Sequence, residues 1–410
     1  KIRERNEYAR KNYFYADLPK GYQITQDKTP ICNDGHVELR NKDGSIRKIK
    51  LTRIHMEEDA GKSIHDLDPF NTLIDLNRAG VPLIEIVSEP EINSAEEAYQ
   101  YITEIRKILR YLEICDGNME EGSLRCDANV SVMLKDDTIF GTKVEIKNMN
   151  SRSNVKRAIE FEIRRQIKIL ESGGNIKHET RSFNAANNST ISMRHKENAN
   201  DYRYFPEPDL QPVLLSKEYI TSIKNTLPPL PNELFKKFTE NFNLSEYDTN
   251  ILIDNKDTAF YFLDLCNYVK NYKLAANIMN GCIKSYLNNK AIRIHHLKIN
   301  PEKLGKLICM IENKKISNTI ATTKVFPIMI DSNADPEDIA KENNWIITND
   351  NHAIKKHIQQ TLEKYPDKIL EYKKGKKGLI GLFMGEIMKL AKGKADPKLV
   401  KNLLENELEK

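Results

Sequence analysis

Between Arg53 and Ser63 the chain reads RIHMEEDAGKS, which sets a His, two Glu, an Asp, a Gly and a Lys directly after a segment patterned as a strand. Three consecutive acids, Glu57, Glu58 and Asp59, repel one another unless solvent, a base or a cation neutralises them. A cation with a phosphate behind it answers both the acids and the neighbouring lysine. The Ala60-Gly61-Lys62-Ser63 tail looks like the end of a P-loop, but that motif requires a glycine where Met56 stands. A nucleotide bound here would therefore depend on carboxylate-held magnesium rather than on a glycine-rich cradle.

A second set of chemistry-bearing residues lies downstream. From Glu121 to Val132 one parity carries Glu121, Ser123, Arg125, Asp127, Asn129 and Ser131, and the other Gly122, Leu124, Cys126, Ala128, Val130 and Val132. This spacing predicts a strand with one apolar face. Thr142 to Lys147 predicts another, with Lys143, Glu145 and Lys147 on one face. Asp136-Asp137 between them reads as a hairpin turn, so the two polar faces would adjoin on one antiparallel sheet. Interleaved acids and bases suit magnesium and polyphosphate together, although a solvent-facing strand shows the same alternation.

The elements that must hold these residues are legible in outline. Ile46 to Met56 reads as a strand whose change of phase between Leu51 and Ile54 predicts a bulge. Asn33-Asp34-Gly35 and Lys42-Asp43-Gly44 predict hairpin turns, and Leu73–Leu76 and Val81–Val87 predict short strands. Ser94 with Glu97 forms a capping box ahead of a helix with Ala98, Ile102, Ile105, Leu109 and Leu112 on one stripe. A second helix follows Ser151, with Val155, Ile159, Ile163, Ile167 and Leu170 apolar and Gly173-Gly174 at its end. Upstream, Tyr13-Phe14-Tyr15 and Lys20-Gly21-Tyr22-Gln23 serve equally as base-stacking or as strand and core residues. Beyond the second helix lie Thr180-Arg181, Ser192-Met193-Arg194 and a proline-stiffened run from Asp201 to Asp209.

Composition sets the bounds. At 410 residues and 47.4 kDa there is room for two or three domains, and 39% hydrophobic residues is ordinary for a globular chain. No run approaches the roughly 20 apolar residues of a membrane span, nor does the start carry a signal-peptide pattern. Six scattered cysteines without a C-x-x-C pair argue for reduced thiols rather than a zinc knuckle. From about Leu227 the pattern turns helical, behind Pro228-Pro229 and Pro231. Eleven lysines against four acids between Lys364 and Lys401 favour phosphate attraction without sequence readout. Gly378, Gly381 and Gly385 at helical spacing would let a second helix or RNA approach closely.

HMEEDAGKS at His55, DLNRAGVPLIEIVSEP at Asp75, EEGSLRCDANVSV at Glu120, KVEIKNMNS at Lys143 and DYRYFPEPDL at Asp201 resemble GatB, one of the subunits of the bacterial and organellar aspartyl/glutamyl-tRNA amidotransferase. The resemblance continues more weakly to the C-terminus. It implies an α+β chain: an antiparallel-sheet cradle domain related to glutamine synthetase and guanidino kinases (1–228), an all-α helical domain (229–341) and a small helical YqeY-like tail (342–410) that binds the tRNA body. The implied activity uses ATP and Mg2+ to phosphorylate the side-chain carboxylate of Glu or Asp misacylated on tRNA(Gln) or tRNA(Asn). Ammonia from a GatA-like amidase subunit then displaces the phosphate, with a GatC-like subunit completing a heterotrimer in the cytoplasm, or in an organellar matrix in a eukaryote.

Matched to the family motifs, Glu57 and Glu58 handle metal or phosphate, with Glu58 favoured as a magnesium ligand. Arg125 and Lys147 join them as catalytic candidates. Lys143, Arg203 and Asp127 are nucleotide candidates, and Glu121 and Glu145 further metal candidates. The family also has an N-terminal Glu-Val-His strand supplying metal ligands and, in some members, a cysteine-rich zinc site. This chain enters at Lys1 beyond that region, so the expectation is a missing N-terminal piece and, were Lys1 the true start, a defective metal site. Two rival readings are a tRNA-binding scaffold without chemistry and a carboxylate-amine ligase acting on a free small molecule. The basic tail argues against the second.

Overall fold

The computed structural model describes residues 1–41, 43–65, 67–193, 202–347, 351–391 and 395–409. Lys42 of the Lys42-Asp43-Gly44 turn, Arg194 and Asp201 lie outside the described residues. The chain divides into two compact units, Lys1–Pro228 and Pro229–Lys410.

The first unit is mixed α/β. Its strands begin with β1 (Arg5–Asn6), β2 (Ala9–Asn12), β3 (Tyr22–Thr25), β4 (Cys32–Asn33), β5 (His36–Arg40) and the long β6 (Ile46–Glu58). β7 (Lys62–Ile64), β8 (Leu73–Asp75), β9 (Pro82–Ser88) and α1 (Ala95–Tyr111) follow. Next come β10 (Ala128–Val130), β11 (Val144–Lys147), α2 (Arg152–Glu171), β12 (Thr180–Asn184), β13 (Ser189–Ser192), β14 (Phe205–Pro206), β15 (Val213–Leu214) and α3 (Lys217–Thr226).

β6 organises the first sheet. β5 and β4 pair with one of its edges and β9 with the other, all antiparallel. The expected bulge is present, as a register shift against β9 between Leu51 and Arg53. Asn33-Asp34-Gly35 is not a hairpin turn. β4 and β5 keep one register against β6, with Cys32 opposite Ile54 and His36 opposite Lys50, and the positive φ of Asp34 and Gly35 kinks an otherwise continuous edge. Val37, Leu39 and Ile49 pack beneath Ile105 of α1.

Ser94 caps α1 by accepting from the Glu97 backbone N–H at 3.1 Å. The Glu97 carboxylate accepts from Asn93 N–H at 2.7 Å, one residue earlier than a capping box requires, and pairs with Arg47.

β10, β11, β12 and β13 form a second sheet in that order, and β11 pairs with β12 in parallel. The strand expected from Glu121 forms only over Ala128–Val130. Residues 121 to 124 are turn and bend and the ladder starts only at Ala128, because Gly122 takes φ +76° and Ser123 N–H turns back to Asn118 C=O. The hairpin pairing survives in shorter form, with Asn129 opposite Glu145. Val130, Ile146, Val155, Ala158 and Phe183 form the core under this sheet.

α2 also departs from its apolar stripe. Val155 and Ile159 are buried, but Ile167 and Leu170 are exposed, and the inner face continues as Glu162 and Gln166. Burial is tolerated because the Glu162 carboxylate and the Gln166 amide nitrogen are bonded, although Gln166 Oε1 has no partner among the described residues. Glu162 pairs with Arg165 and accepts from Thr190, and Gln166 Nε2 donates to Val130 C=O at 3.0 Å.

The second unit is helical throughout its described elements, the apolar run Val325–Ile330 included. Its last helices, Asn351–Lys364, Pro366–Lys373, Ile380–Leu390 and Pro397–Glu409, share a core of Ile354, Ile358, Phe383, Ile387, Val400 and Leu404. No helix is crowded against the three tail glycines, since a Cβ at Gly378, Gly381 or Gly385 would meet nothing within 4 Å among the described residues. Nor is any described helix long and apolar enough to cross a membrane.

Candidate functional site

The far end of β6 carries the acidic stretch, and strand alternation separates its members. His55 and Glu57 fall on one face. Across the ladder His55 lies opposite Glu85 of β9. His55 Nε2 stands 3.6 Å from a Glu85 oxygen and 3.8 Å from a Glu57 oxygen, too long for hydrogen bonds, yet all three donor atoms lie within 4.8 Å of one another. The ring is oriented by Arg53, whose Nε donates to Nδ1 at 3.3 Å.

The electrostatics of this trio are unfavourable without a further cation. Burial, and then the Glu85 charge, push the Glu57 carboxyl up to about 7. Burial also lowers the His55 pKa, so the imidazole is neutral and able to bind a metal. Two carboxylate oxygens and one imidazole nitrogen suit Mg2+ or Mn2+ with the remaining positions left to water or phosphate. His55, Glu57 and Glu85 are the residues that would hold it.

Glu58 faces elsewhere. Its Oε1 accepts from Ile24 N–H at 2.7 Å and pairs with Lys20, while its backbone oxygen accepts from Gln23 Nε2. It therefore anchors β3 to β6, and the structure does not bring it together with Glu57. Asp59, 5% exposed at its side chain, receives Arg125 Nη2 at 2.6 Å and Arg78 Nε at 3.0 Å on a single oxygen. Through this pair Arg125 reaches the end of β6.

The remaining candidates form a second cluster. Lys147 Nζ donates to Asp127 Oδ2 at 2.8 Å and lies 3.4 Å from Glu145 Oε1. Burial opposes the Lys147 charge, but the Asp127 and Glu145 carboxylates outweigh it and leave its pKa raised. Glu145 also accepts from Thr180. Lys143 sits exposed before β11, and Glu121 lies in the turn outside the ladder. β10 and β11 share one antiparallel ladder, whereas β6 lies in a different sheet, joined to them by the Arg125–Asp59 pair. Arg203 occupies the exposed approach to β14 with φ +44°, its carbonyl accepting from Asn12 Nδ2 at 2.8 Å. Tyr13 and Tyr202 meet edge to face, with Lys11 Nζ 4.8 Å from the Tyr202 ring.

Gly61 is glycine because its neighbours leave no space: a Cβ would come within 2.9 Å of the backbone oxygens of Asp17 and Asp75. Its role is a close crossing of chain segments, and its N–H donates to Asp17 C=O.

Sequence reasoning missed Glu85 and Arg78, and gave His55 and Asp59 of the acidic stretch no role of their own. Period-two alternation along β6 pairs His55 with Glu57 and excludes Glu58. Glu85 needed the β6–β9 register, which no local pattern specifies.

Residues 1–221 match the model of the GatB/GatE catalytic domain, and residues 260–408 that of the GatB domain. The B-type subunit of the aspartyl/glutamyl-tRNA(Asn/Gln) amidotransferase of Rickettsia rickettsii (strain Sheila Smith) is 44% identical over 408 residues, covering 100% of this chain and 84% of the relative. The protein of the same name from Pelagibacter ubique (strain HTCC1062) is 44% identical over 100% of this chain and 83% of its own length. That from Caldicellulosiruptor bescii is 44% identical over 98% and 84%.

Proposed function

The chain belongs to the GatB/GatE family, and from that premise we propose that it supplies the ATP-dependent half of a glutamine-dependent tRNA amidation. The substrate is Glu on tRNA(Gln), or Asp on tRNA(Asn). A side-chain carboxylate is a poor acyl donor because its leaving group would be an oxide. Its oxygen attacks the γ-phosphorus of ATP, ADP leaves, and an acyl phosphate results. Ammonia from a GatA-like amidase then attacks the carbonyl carbon, expelling phosphate and losing a proton to give the amide.

The observation that carries this reading is the convergence of His55, Glu57 and Glu85 beside Arg125. A bound Mg2+ would screen the two anions brought together in phosphoryl transfer. Arg125 and Lys147 place positive charge where phosphoryl oxygens must sit, with Lys143 and Arg203 at the approaches and Asp127 and Glu145 holding Lys147 in place. Glu58 supports the site from behind through β3, and Glu121 contributes from the turn that receives Arg78. We assign residues 1–228 to a cradle of the glutamine synthetase and guanidino kinase type. The helical unit divides at about 341 into a helical domain and a tRNA-binding tail with its own core. A GatC-like protein completes the heterotrimer, in the cytoplasm of a bacterium or the matrix of an organelle.

The test is stoichiometric. In the assembled complex, with misacylated Glu-tRNA(Gln) and ammonium replacing glutamine, one ADP is expected for each amide formed, and both products stop when Mg2+ is chelated. Amide formation without ADP would overturn the assignment.

A further inference from the structure

Asp59 stands in the acidic stretch yet belongs to neither cluster of donors. Its backbone is fixed at the mouth of β9, where its N–H donates to Val81 C=O and its carbonyl accepts from Gly80 N–H. Its carboxylate is buried, and one oxygen receives two guanidinium groups from distant segments, Arg78 at 3.0 Å and Arg125 at 2.6 Å. Both arginines remain open to solvent, with side chains 41% and 59% exposed. Arg78 is fixed a second time, its Nη1 donating to Gly122 C=O at 3.1 Å. Gly122 makes room for this, since a Cβ there would come within 3.1 Å of the same nitrogen.

A buried acid holding two exposed guanidinium groups is expensive to desolvate, and a surface tether between loops would not need it. Each guanidinium has five N–H donors, and among the described residues the Asp59 contact uses one on each. Arg78 Nη1 is spent on the Gly122 and Glu121 carbonyls, which leaves Arg78 Nη2 and the other Arg125 nitrogens, on side chains this exposed, as a two-pronged donor set of the kind that matches phosphoryl oxygens. The Arg125 charge opposes a small part of the rise that burial and Glu85 impose on the Glu57 carboxyl, which places this prong within electrostatic reach of the His55, Glu57 and Glu85 cluster.

We propose that Asp59 is a positioning residue that aims Arg78 and Arg125 together as a clamp on the phosphoryl group in transfer. This rests on the ATP-dependent reading above and assigns Asp59 and Arg78 a part in it. Asp59 touches no substrate; it fixes the angle at which the two cations meet the developing charge.

The experiment uses the assembled complex with misacylated tRNA and ATP. Asp59→Asn keeps the shape of the side chain but removes the charge. Its kcat is expected to fall about 100-fold, as a misplacement of about 1 Å can cause, with the KM for misacylated tRNA within about threefold of the parent. Arg125→Lys should cost a similar factor, and the Asp59→Asn/Arg125→Lys double variant should be no worse than about threefold below either single, because one device is broken once. Binding of a non-hydrolysable ATP analogue by calorimetry should weaken in both single variants.

Full kcat in folded Asp59→Asn, or multiplying losses in the double variant, overturns the proposal. If Asp59→Asn does not fold, Arg78→Lys and Arg125→Lys, which keep charge but lose the fork, carry the test, and normal turnover in both overturns it. Glu57→Gln is measured on the same preparations. Normal turnover there defeats the ATP-dependent reading itself, whereas an inactive Glu57→Gln beside a normal Asp59→Asn defeats only the clamp.

Discussion

Replacing Glu57 by Gln is expected to lower ATP-dependent amide formation by about 10³-fold while leaving the fold intact, the scale of losing one charge-stabilising group at a reacting centre. The stability effect has the opposite sign to most buried substitutions. The Glu57 carboxyl is raised to about 7 by burial and by Glu85. An acid whose folded pKa lies above its unfolded value stabilises the fold only while protonated, and that contribution is lost as pH rises from the ordinary carboxylate range through about 7. At pH 8 the parent therefore carries an unfavourable buried charge that Gln lacks. Thermal denaturation without divalent cation should show Glu57→Gln as stable as the parent or more so at pH 8. An inactive variant that also melts well below the parent would indicate a structural role instead.

The largest loss of stability is expected at Arg10→Met. Arg10 bridges β2 to the segment after β14, donating through Nε and Nη2 to the two oxygens of Glu207 at 2.7 and 2.8 Å and lying 4.1 Å from the Tyr22 ring. Glu207 is only 1% exposed at its side chain, so removing its partner strands a charge. The melting midpoint at pH 7 should fall by roughly 5 to 15 °C. The pH dependence identifies the cause. The Arg10 bond holds the Glu207 carboxyl below its usual range, so its contribution is full above the ordinary carboxylate pKa and lost as pH falls through the depressed value. The gap between parent and variant should narrow as pH drops below about 4. A gap independent of pH would point to lost packing of the Arg10 stem alone.

How much of this was legible depended on whether the signal was local. Strand alternation and its phase change placed β6 and its bulge, and Ser94 and Ser151 marked the starts of α1 and α2, because caps and periodicity act over a few residues. The alternation from Glu121 to Val132 does describe exposure, the polar set lying outward, but exposure is not pairing: Gly122 turns the chain and no strand faces it until Ala128. On α2 the apolar stripe lost to a bonded polar one, since Glu162 and Gln166 find partners on β10 and β13 that no helix pattern contains. The site divides in the same way. Glu57, Arg125 and Lys147 stand out by residue type, whereas Glu85 enters through the β6–β9 register and Arg78 through a contact with Asp59. The family resemblance favours Glu58, but its position one step along β6 turns it toward Lys20.

The central claim is that His55, Glu57 and Glu85 together take a divalent cation. A Mn2+ titration followed by electron paramagnetic resonance tests it on the assembled complex and on its Glu57→Gln, His55→Ala and Glu58→Gln variants. The account predicts one site, weakened at least about tenfold by Glu57→Gln and by His55→Ala, the loss expected when a ligand is removed. Affinity should also fall as pH drops below about 7, where the Glu57 proton competes. Glu58→Gln should bind within about threefold of the parent. Unchanged binding in Glu57→Gln and His55→Ala, with binding abolished in Glu58→Gln, would contradict it.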